Sequence, residues 1–251
     1  MVTGTPYVMR PTTGLRRPKR ATPGADVAGV VEAAGPGASR FSVGDEVFGE
    51  CPGGGFAEWV AVPETHLARK PDGVDFEAAA AVPVAGLTAL QSIRDWGRLQ
   101  RGQRVLINGA SGGVGTFAVQ VAKALGAGEV VAVCSGRNVE MVRSLGADRV
   151  IDYETEDFAA SGDRYDLMVD NVGTRSLADC RSVLTDRGSY SMVSGPKKSQ
   201  LFGPVARLVR GLVVFGLSRQ RAGFGVATPV PDDVELLGEW LATGAIRSVI
   251  E

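Results

Sequence analysis

The feature of this sequence that most constrains its fold is a strand, a glycine-rich turn and a helix in direct succession. Residues 104–115 read RVLINGASGGVG, and residues 116–126 continue as TFAVQVAKALG. The apolar run is typical of a buried strand, and the helix begins inside the glycines. The free N–H groups and positive dipole end of such a helix favour a pyrophosphate. The pattern therefore predicts a dinucleotide site, against the alternative of an ordinary glycine-rich connection.

This turn matches the dinucleotide fingerprint G-x-G-x-x-G with one departure, because alanine stands in the first glycine position. The glycines allow the backbone to come close to a ligand and allow the helix to pack tightly on the strand. The predicted cofactor-binding residues of the turn are Ala110, Ser111, Gly112, Gly113, Val114 and Gly115.

Apolar strands alternate with helices from residue 103 onward, which predicts an α/β fold of the Rossmann type: a doubly wound parallel sheet with helices on both faces. We expect its helices at 113–125, 138–145, 177–184 and 232–243. The expected strands are 104–108, 129–133, 149–151, 165–170, 189–193 and, as a sixth, 212–217.

The preceding segment has a different character. Short β-rich runs at 26–34, 43–49 and 53–62 are separated by glycine turns, which indicates a small β-barrel. Helices are expected at 75–81 and 85–95, and residues 246–250 are expected to begin a last strand.

Composition excludes several classes of function. Lysine and arginine number 27 against 28 acidic residues, so no global charge favours a nucleic acid. Cys51, Cys134 and Cys180 are far apart, which argues against a disulfide framework and a structural zinc site. The single histidine, His66, is expected on a surface loop. The chain has no other histidine for a Ser-His-Asp triad, so that type of catalysis is not favoured. No signal-peptide pattern is seen, and a cytoplasmic location is expected.

Membrane association is the less favoured interpretation of one basic segment. From Arg187 to Pro231 there are seven basic residues and no acid. Its apolar and basic residues would suit a bilayer surface. We favour a basic surface near cofactor phosphates or a subunit contact, and a homodimer stays open.

The end of the second strand of the parallel sheet predicts NADPH rather than NADH. An NAD site carries an acid there for the ribose 2′-hydroxyl, whereas residues 133–138 read VCSGRN. A small hydroxyl and an arginine would bind a 2′-phosphate, which an acid would repel. Ser135 and Arg137 are the predicted ligands, with a solvated loop arginine as the alternative.

Two further strand ends carry candidates. Tyr153 follows the third strand and is expected beside the adenine or its phosphate, the alternative being a tyrosine at the edge of the core. After the fourth strand comes Asp170-Asn171-Val172-Gly173, at the carboxyl edge where ligands bind. Asn171 and Val172 are the candidates for the nicotinamide-ribose side.

With these pieces together, the chain resembles the medium-chain dehydrogenase/reductase superfamily, in its zinc-free quinone oxidoreductase branch. The resemblance covers nearly the whole chain. It is carried by residues 23–31 (PGADVAGVV), 44–49 (GDEVFG), 55–58 (GFAE), 81–89 (AVPVAGLTA), the 110–115 turn, 145–148 (LGAD) and 170–173 (DNVG).

The resemblance implies a partial GroES-like substrate domain over residues 1–90 and a Rossmann NADPH-binding domain over 91–245. Residues 246–251 would start the return to the substrate domain. It also implies hydride transfer to a quinone or an activated enone. Thr88 is the catalytic candidate, expected beside the nicotinamide; the alternative is a helix-interior hydroxyl that bonds its own backbone.

The sequence departs from the superfamily in two ways. Zinc alcohol dehydrogenases carry Gly-His-Glu where this chain has Gly24-Ala25-Asp26, and the four-cysteine lobe is absent, so metal-free chemistry is expected. Family members are also longer at both ends, so truncation is expected. The competing interpretation is therefore a non-catalytic NADPH-binding fragment or structural protein. A short-chain reductase is excluded, because no tyrosine has a lysine four residues later.

Overall fold

The computed structural model of the chain describes residues 22–194, 210–211, 213–216 and 218–250. These residues form two compact units. One contains residues 88–194 and the described part of 210–226, and the other contains residues 22–87 and 227–250.

A six-stranded parallel sheet organises the larger unit, in the order β6-β5-β4-β7-β8-β9. Its strands are β4 (Arg104–Asn108), β5 (Glu129–Cys134), β6 (Arg149–Asp152), β7 (Tyr165–Asp170), β8 (Leu184–Met192) and β9 (Arg221–Phe224). The order reverses between β4 and β7, and right-handed crossovers then place the connections of the two halves on opposite faces. The predicted doubly wound parallel sheet is confirmed.

The central strands are apolar on both faces because both faces are covered. β4 and β7 are buried over most of their length, and Leu106, Met168 and Tyr190 belong to one continuous core. Near-continuous apolar runs are typical of such strands, and these runs allowed β4 and β7 to be predicted from the sequence.

Helices of this unit follow the predicted positions with small shifts at their ends. They are α3 (Gly113–Ala124), α4 (Val139–Ser144) and α5 (Leu177–Ser182). Within α3 the residues from Gly115 to Ala122 are buried, so this helix packs closely against β4 and β5.

The second unit contains a three-stranded antiparallel sheet among its described residues. Its strands are β1 (Asp26–Val30), β2 (Glu46–Glu50) and β3 (Leu67–Arg69). Its helices are α1 (Phe76–Ala80) and α6 (Pro231–Thr243), and α6 packs on β3. Helix α2 (Pro83–Gln91) crosses the boundary between the units after Leu87, and a π-helical turn, Ser92–Trp96, follows it.

Three predicted strands are absent from the described residues. Residues 53–62 form bends and irregular backbone, and residues 246–250 form no strand. The described residues between 210 and 216 are helical, and the sixth strand is Arg221–Phe224 instead of 212–217. Short apolar runs fit a strand or a helix equally well, so periodicity alone does not separate them.

Candidate cofactor site

The carboxyl ends of β4 and β7 lie side by side where the strand order reverses. Asn108 pairs with Asp170 in this parallel register. Ligands of open α/β sheets bind in the crevice at such a point. Both predicted ligand segments, the 110–115 turn and Asn171-Val172, follow directly from these two strand ends.

The glycine turn leads into the N-terminus of α3, which is open to a ligand. Gly112 is the N-cap and supplies no side-chain hydrogen bond, and Gly112 and Gly113 are exposed. A Cβ atom built on Gly113 would meet nothing within 4 Å. The first N–H groups of a helix have no partner inside the helix, so they are available to an anion here.

Other glycines of the turn have a packing role. Gly109 has a φ of 79°, and a Cβ on it would lie 2.6 Å from Cγ2 of Val172. A Cβ on Gly115 would collide with the carbonyl oxygen of Gly109 and lie 2.7 Å from Cα of Ala110. Gly115 therefore allows the first turn of α3 to pack on the loop, while Gly109 lets the loop reverse beside Val172.

The predicted 2′-phosphate ligands lie after β5. Ser135 is buried, and its hydroxyl oxygen accepts a hydrogen bond from Nδ2 of Asn138 at 3.1 Å. Arg137 is exposed in the short 3-10 turn Gly136–Asn138. Among the described residues, its guanidinium has no hydrogen-bond or ion-pair partner, so its charge is available to a ligand. Tyr153 is 56% exposed at the end of β6, which places it outside the core.

Asp152, a carboxylate that the sequence did not indicate as a ligand, also lies at this end of the site. Cys134 and Asp152 are paired between β5 and β6, and a Cβ on Gly136 would lie 2.6 Å from Oδ2 of Asp152. Burial, and then the charge of Asp152, raise the pKa of the Cys134 thiol. Asp152 belongs to the neighbouring strand β6. Its position at the site can therefore be assigned only once the pairing of β5 with β6 is known.

The candidates for the other end of the site follow β7. Val172 is 37% exposed and lies beside Gly109. The Nδ2 and Oδ1 atoms of Asn171 are both buried and have no hydrogen-bond partner among the described residues. A buried amide without hydrogen-bond partners destabilises the fold. The donor and acceptor atoms of the Asn171 amide are therefore available to a ligand such as a carboxamide or a ribose hydroxyl.

Thr88 lies in the second half of α2 and is partly buried. It is the first residue of the larger unit after the boundary at Leu87. Its predicted place beside the nicotinamide stays a prediction.

Potential metal ligands are dispersed. No group of three His, Cys, Asp or Glu side chains that could hold a metal ion occurs in the described part of the chain. Cys51, Cys134 and Cys180 are buried and form no disulfide. His66 lies in a 3-10 turn, half-buried, and its Nδ1 atom is buried with no partner among the residues described.

No described helix is long and apolar enough to cross a membrane. Part of the basic segment from Arg187 to Pro231, namely residues 195–209, 212 and 217, lies outside the described residues.

Known families and proteins are similar to this chain over most of its length. The family described as "Alcohol dehydrogenase GroES-like domain" matches residues 2–72, and that described as "Zinc-binding dehydrogenase" matches residues 113–242. A chloroplast envelope quinone oxidoreductase homolog from Arabidopsis thaliana is 33% identical over 241 residues, covering 91% of this chain and 71% of the relative.

Two further similarities agree with this result. A chloroplastic quinone-oxidoreductase homolog from Spinacia oleracea is 41% identical over 208 residues, and the alignment covers 78% of this chain and 62% of that protein. The structure of the quinone oxidoreductase from Coxiella burnetii superimposes with a TM-score of 0.80 at 26% identity, covering 100% of this chain and 74% of that one. By its parallel sheet, its glycine turn and these matches, the chain belongs to the medium-chain dehydrogenase/reductase family and is quinone oxidoreductase-like.

Proposed function

We propose that this chain is an oxidoreductase that uses NADPH to reduce a quinone or an activated enone without a metal ion. The observation that carries the choice of NADPH is the exposed guanidinium of Arg137, which has no partner among the described residues, beside the buried Ser135. The quinone oxidoreductases among its relatives support the substrate class.

The residues present fit a dinucleotide from end to end. The open N-terminus of α3, with the exposed Gly112 and Gly113, would hold the pyrophosphate. Ser135 and Arg137 would hold the 2′-phosphate, with Tyr153 along the adenosine. The unpartnered amide of Asn171 would hold the nicotinamide-ribose end, with Val172 against it.

When bound, NADPH supplies the hydride, and the protein supplies orientation and exclusion of water. A quinone reduced in this way takes its proton from solvent, so no dedicated catalytic base is required. Thr88 is proposed to flank the reacting ring.

The donor set supports the metal-free proposal. Residues 24–26 are Gly-Ala-Asp, so the imidazole ligand of the zinc alcohol dehydrogenases has no counterpart. Asp26 itself is engaged, because its Oδ1 accepts a hydrogen bond from the Val84 N–H at 2.6 Å. A Lewis-acid zinc site needs three protein ligands and an open position, which this arrangement does not supply.

Turnover is tested by following NADPH absorbance with a small benzoquinone and with a conjugated enone, before and after incubation with EDTA. We expect oxidation that the chelator leaves unchanged. Loss of activity with EDTA and its return with zinc would contradict the metal-free proposal. Binding of NADPH without turnover on either acceptor would favour the second candidate, a non-catalytic NADPH-binding protein.

Cofactor choice is tested by R137A with titrations of NADPH and NADH. Removing a charge-assisted contact to a phosphate is expected to weaken NADPH binding roughly 10-fold and to leave NADH binding unchanged. R143A is the matched control, because Arg143 is exposed on α4 and paired with Glu140. Equal losses for both cofactors in R137A would refute the assignment.

A second variant tests the choice of cofactor by removing a negative charge, whereas R137A removes a positive one. D152N removes a carboxylate that lies against Gly136, in the middle of the predicted 2′-phosphate loop. We expect tighter NADPH binding and unchanged NADH binding. A loss of NADH affinity in D152N would mean that Asp152 binds the ribose hydroxyls of NADH, and the preference for NADPH would be wrong.

We propose a small-molecule substrate, no nucleic-acid partner and a cytoplasmic location. The nearly balanced charge of the chain supports the absence of a nucleic-acid partner.

A further inference from the structure

A buried carboxylate lies between the two ligand-binding strand ends. Asp170, the last residue of β7, is fully buried. Its Oδ1 accepts hydrogen bonds from Nδ2 of Asn108 at 2.9 Å and from the Gly173 N–H at 2.9 Å. Its Oδ2 accepts a hydrogen bond from the Tyr190 hydroxyl at 2.7 Å. One side chain therefore joins the ends of β4, β7 and β8.

The same carboxylate shapes the loop that follows it. The Val172 N–H lies 3.2 Å from Oδ1 of Asp170, and the Asn171 N–H donates to the carbonyl of Asn108 at 3.1 Å. These bonds hold the Val172 side chain against Gly109, at the start of the glycine turn. The two ligand segments of the site are thus fixed relative to each other by Asp170.

The side-chain amide of Asn171 indicates the role of the loop that Asp170 holds. Its backbone is bonded, whereas both polar atoms of its side-chain amide are buried without a partner among the described residues. At this carboxyl edge of the sheet a bound ligand would complete both groups, and leaving a buried amide unpaired destabilises the fold.

We propose that Asp170, supported by Tyr190, is a positioning residue that aims the Asn171 amide at the nicotinamide end of the cofactor. This inference rests on the proposed NADPH-dependent function. Asp170 does not touch the cofactor; it acts through the loop that it holds. The adenosine end, formed after β5 and β6, does not depend on it.

Two buried tyrosines make a matched pair for the test. Tyr190 and Tyr165 lie on neighbouring strands and share one apolar core. The Tyr190 hydroxyl donates to Asp170, whereas the Tyr165 hydroxyl has no hydrogen-bond partner among the described residues. Phenylalanine at either position keeps the ring, including the stacking of Tyr190 on Phe215 at 5.4 Å.

The experiment measures the affinities of Y190F, Y165F and the unchanged protein for NADPH and for 2′,5′-ADP, together with their melting temperatures. 2′,5′-ADP carries the adenosine half of the cofactor without the nicotinamide. For Y190F we expect NADPH affinity to fall roughly 3- to 10-fold and 2′,5′-ADP affinity to change less than about 2-fold. Y165F is expected to bind both like the unchanged protein.

Several outcomes would overturn the inference. A Y190F protein that binds NADPH as tightly as Y165F would do so, as would equal losses of NADPH and 2′,5′-ADP, which indicate general loosening. D170N is the second variant, nearly the same in shape, and the same split between the two ligands is expected of it. If the unchanged protein binds neither ligand, the proposed function fails; if it binds both and the variants show no split, only the positioning role fails.

Discussion

At the scale of single residues, two neighbouring glycines in one turn have different reasons to be glycine. A Cβ on Gly115 would collide with the carbonyl of Gly109, whereas a Cβ on Gly113 would meet nothing within 4 Å. Gly115 is required by packing between the helix and the loop. Gly113 lies at the exposed start of α3, where a ligand has room to approach.

We therefore predict that G115A destabilises the protein by about 1–3 kcal/mol, because backbone atoms must shift to admit the methyl group. G113A is expected to be neutral or to stabilise by up to about 1 kcal/mol, since alanine favours a helix over glycine. Urea denaturation followed by circular dichroism measures both. Equal destabilisation by the two variants would show that the turn does not pack as described.

At the scale of elements, the Asp26 carboxyl connects β1 to the start of α2, and a second carboxyl, Glu50 of β2, lies opposite it. Asp26 accepts the Val84 N–H at 2.6 Å and lies opposite Glu50 in the sheet. Burial raises the pKa of Asp26, and the Val84 hydrogen bond opposes that rise. Burial also raises the pKa of Glu50, and the charge of Asp26 adds to it.

This connection predicts a pH dependence of stability. An acid whose pKa is higher in the folded protein stabilises the fold below its unfolded pKa, and that contribution is lost as the pH rises through the folded pKa. D26N keeps an oxygen acceptor for Val84 and removes the titration. We expect its melting temperature to fall less than that of the unchanged protein as the pH rises from about 4 to neutrality.

The control has the opposite sign. A hydrogen bond from Arg69 is the main cause that lowers the pKa of Asp45, so its stabilising contribution is lost as the pH falls. D45N is accordingly expected to flatten the acid side of the profile. Parallel profiles for D26N and the unchanged protein would contradict the role of Asp26.

At the scale of the whole molecule, β9 is the last strand of the parallel sheet among the described residues. The unpaired N–H and C=O groups of an edge strand can pair with another chain. We predict a homodimer that uses this edge. Light scattering after size exclusion should give twice the chain mass of 26.2 kDa, and a monomer at all concentrations would refute it.

Much of the larger unit could be predicted from the sequence, because its strands are buried on both faces. The limits predicted for β7, residues 165–170, agree with the structure, and α3 differs by one residue at its end. The predicted strand at 53–62 was wrong, since three consecutive glycines open that segment and its backbone forms bends and irregular structure. The predicted strand at 212–217 was wrong because a short apolar run carries no periodicity that separates strand from helix.

The sequence by itself determined the class of this protein: the strand, glycine turn and helix specify a dinucleotide-binding fold from local residues alone. Only the tertiary structure decided which side chains meet at the site. Asp170 joins Asn108 and Tyr190, and Asp152 lies against Gly136, across strands that are distant in the chain. The physical reason is that a turn is set by neighbours in sequence, whereas strand pairing and its register depend on packing of the whole sheet.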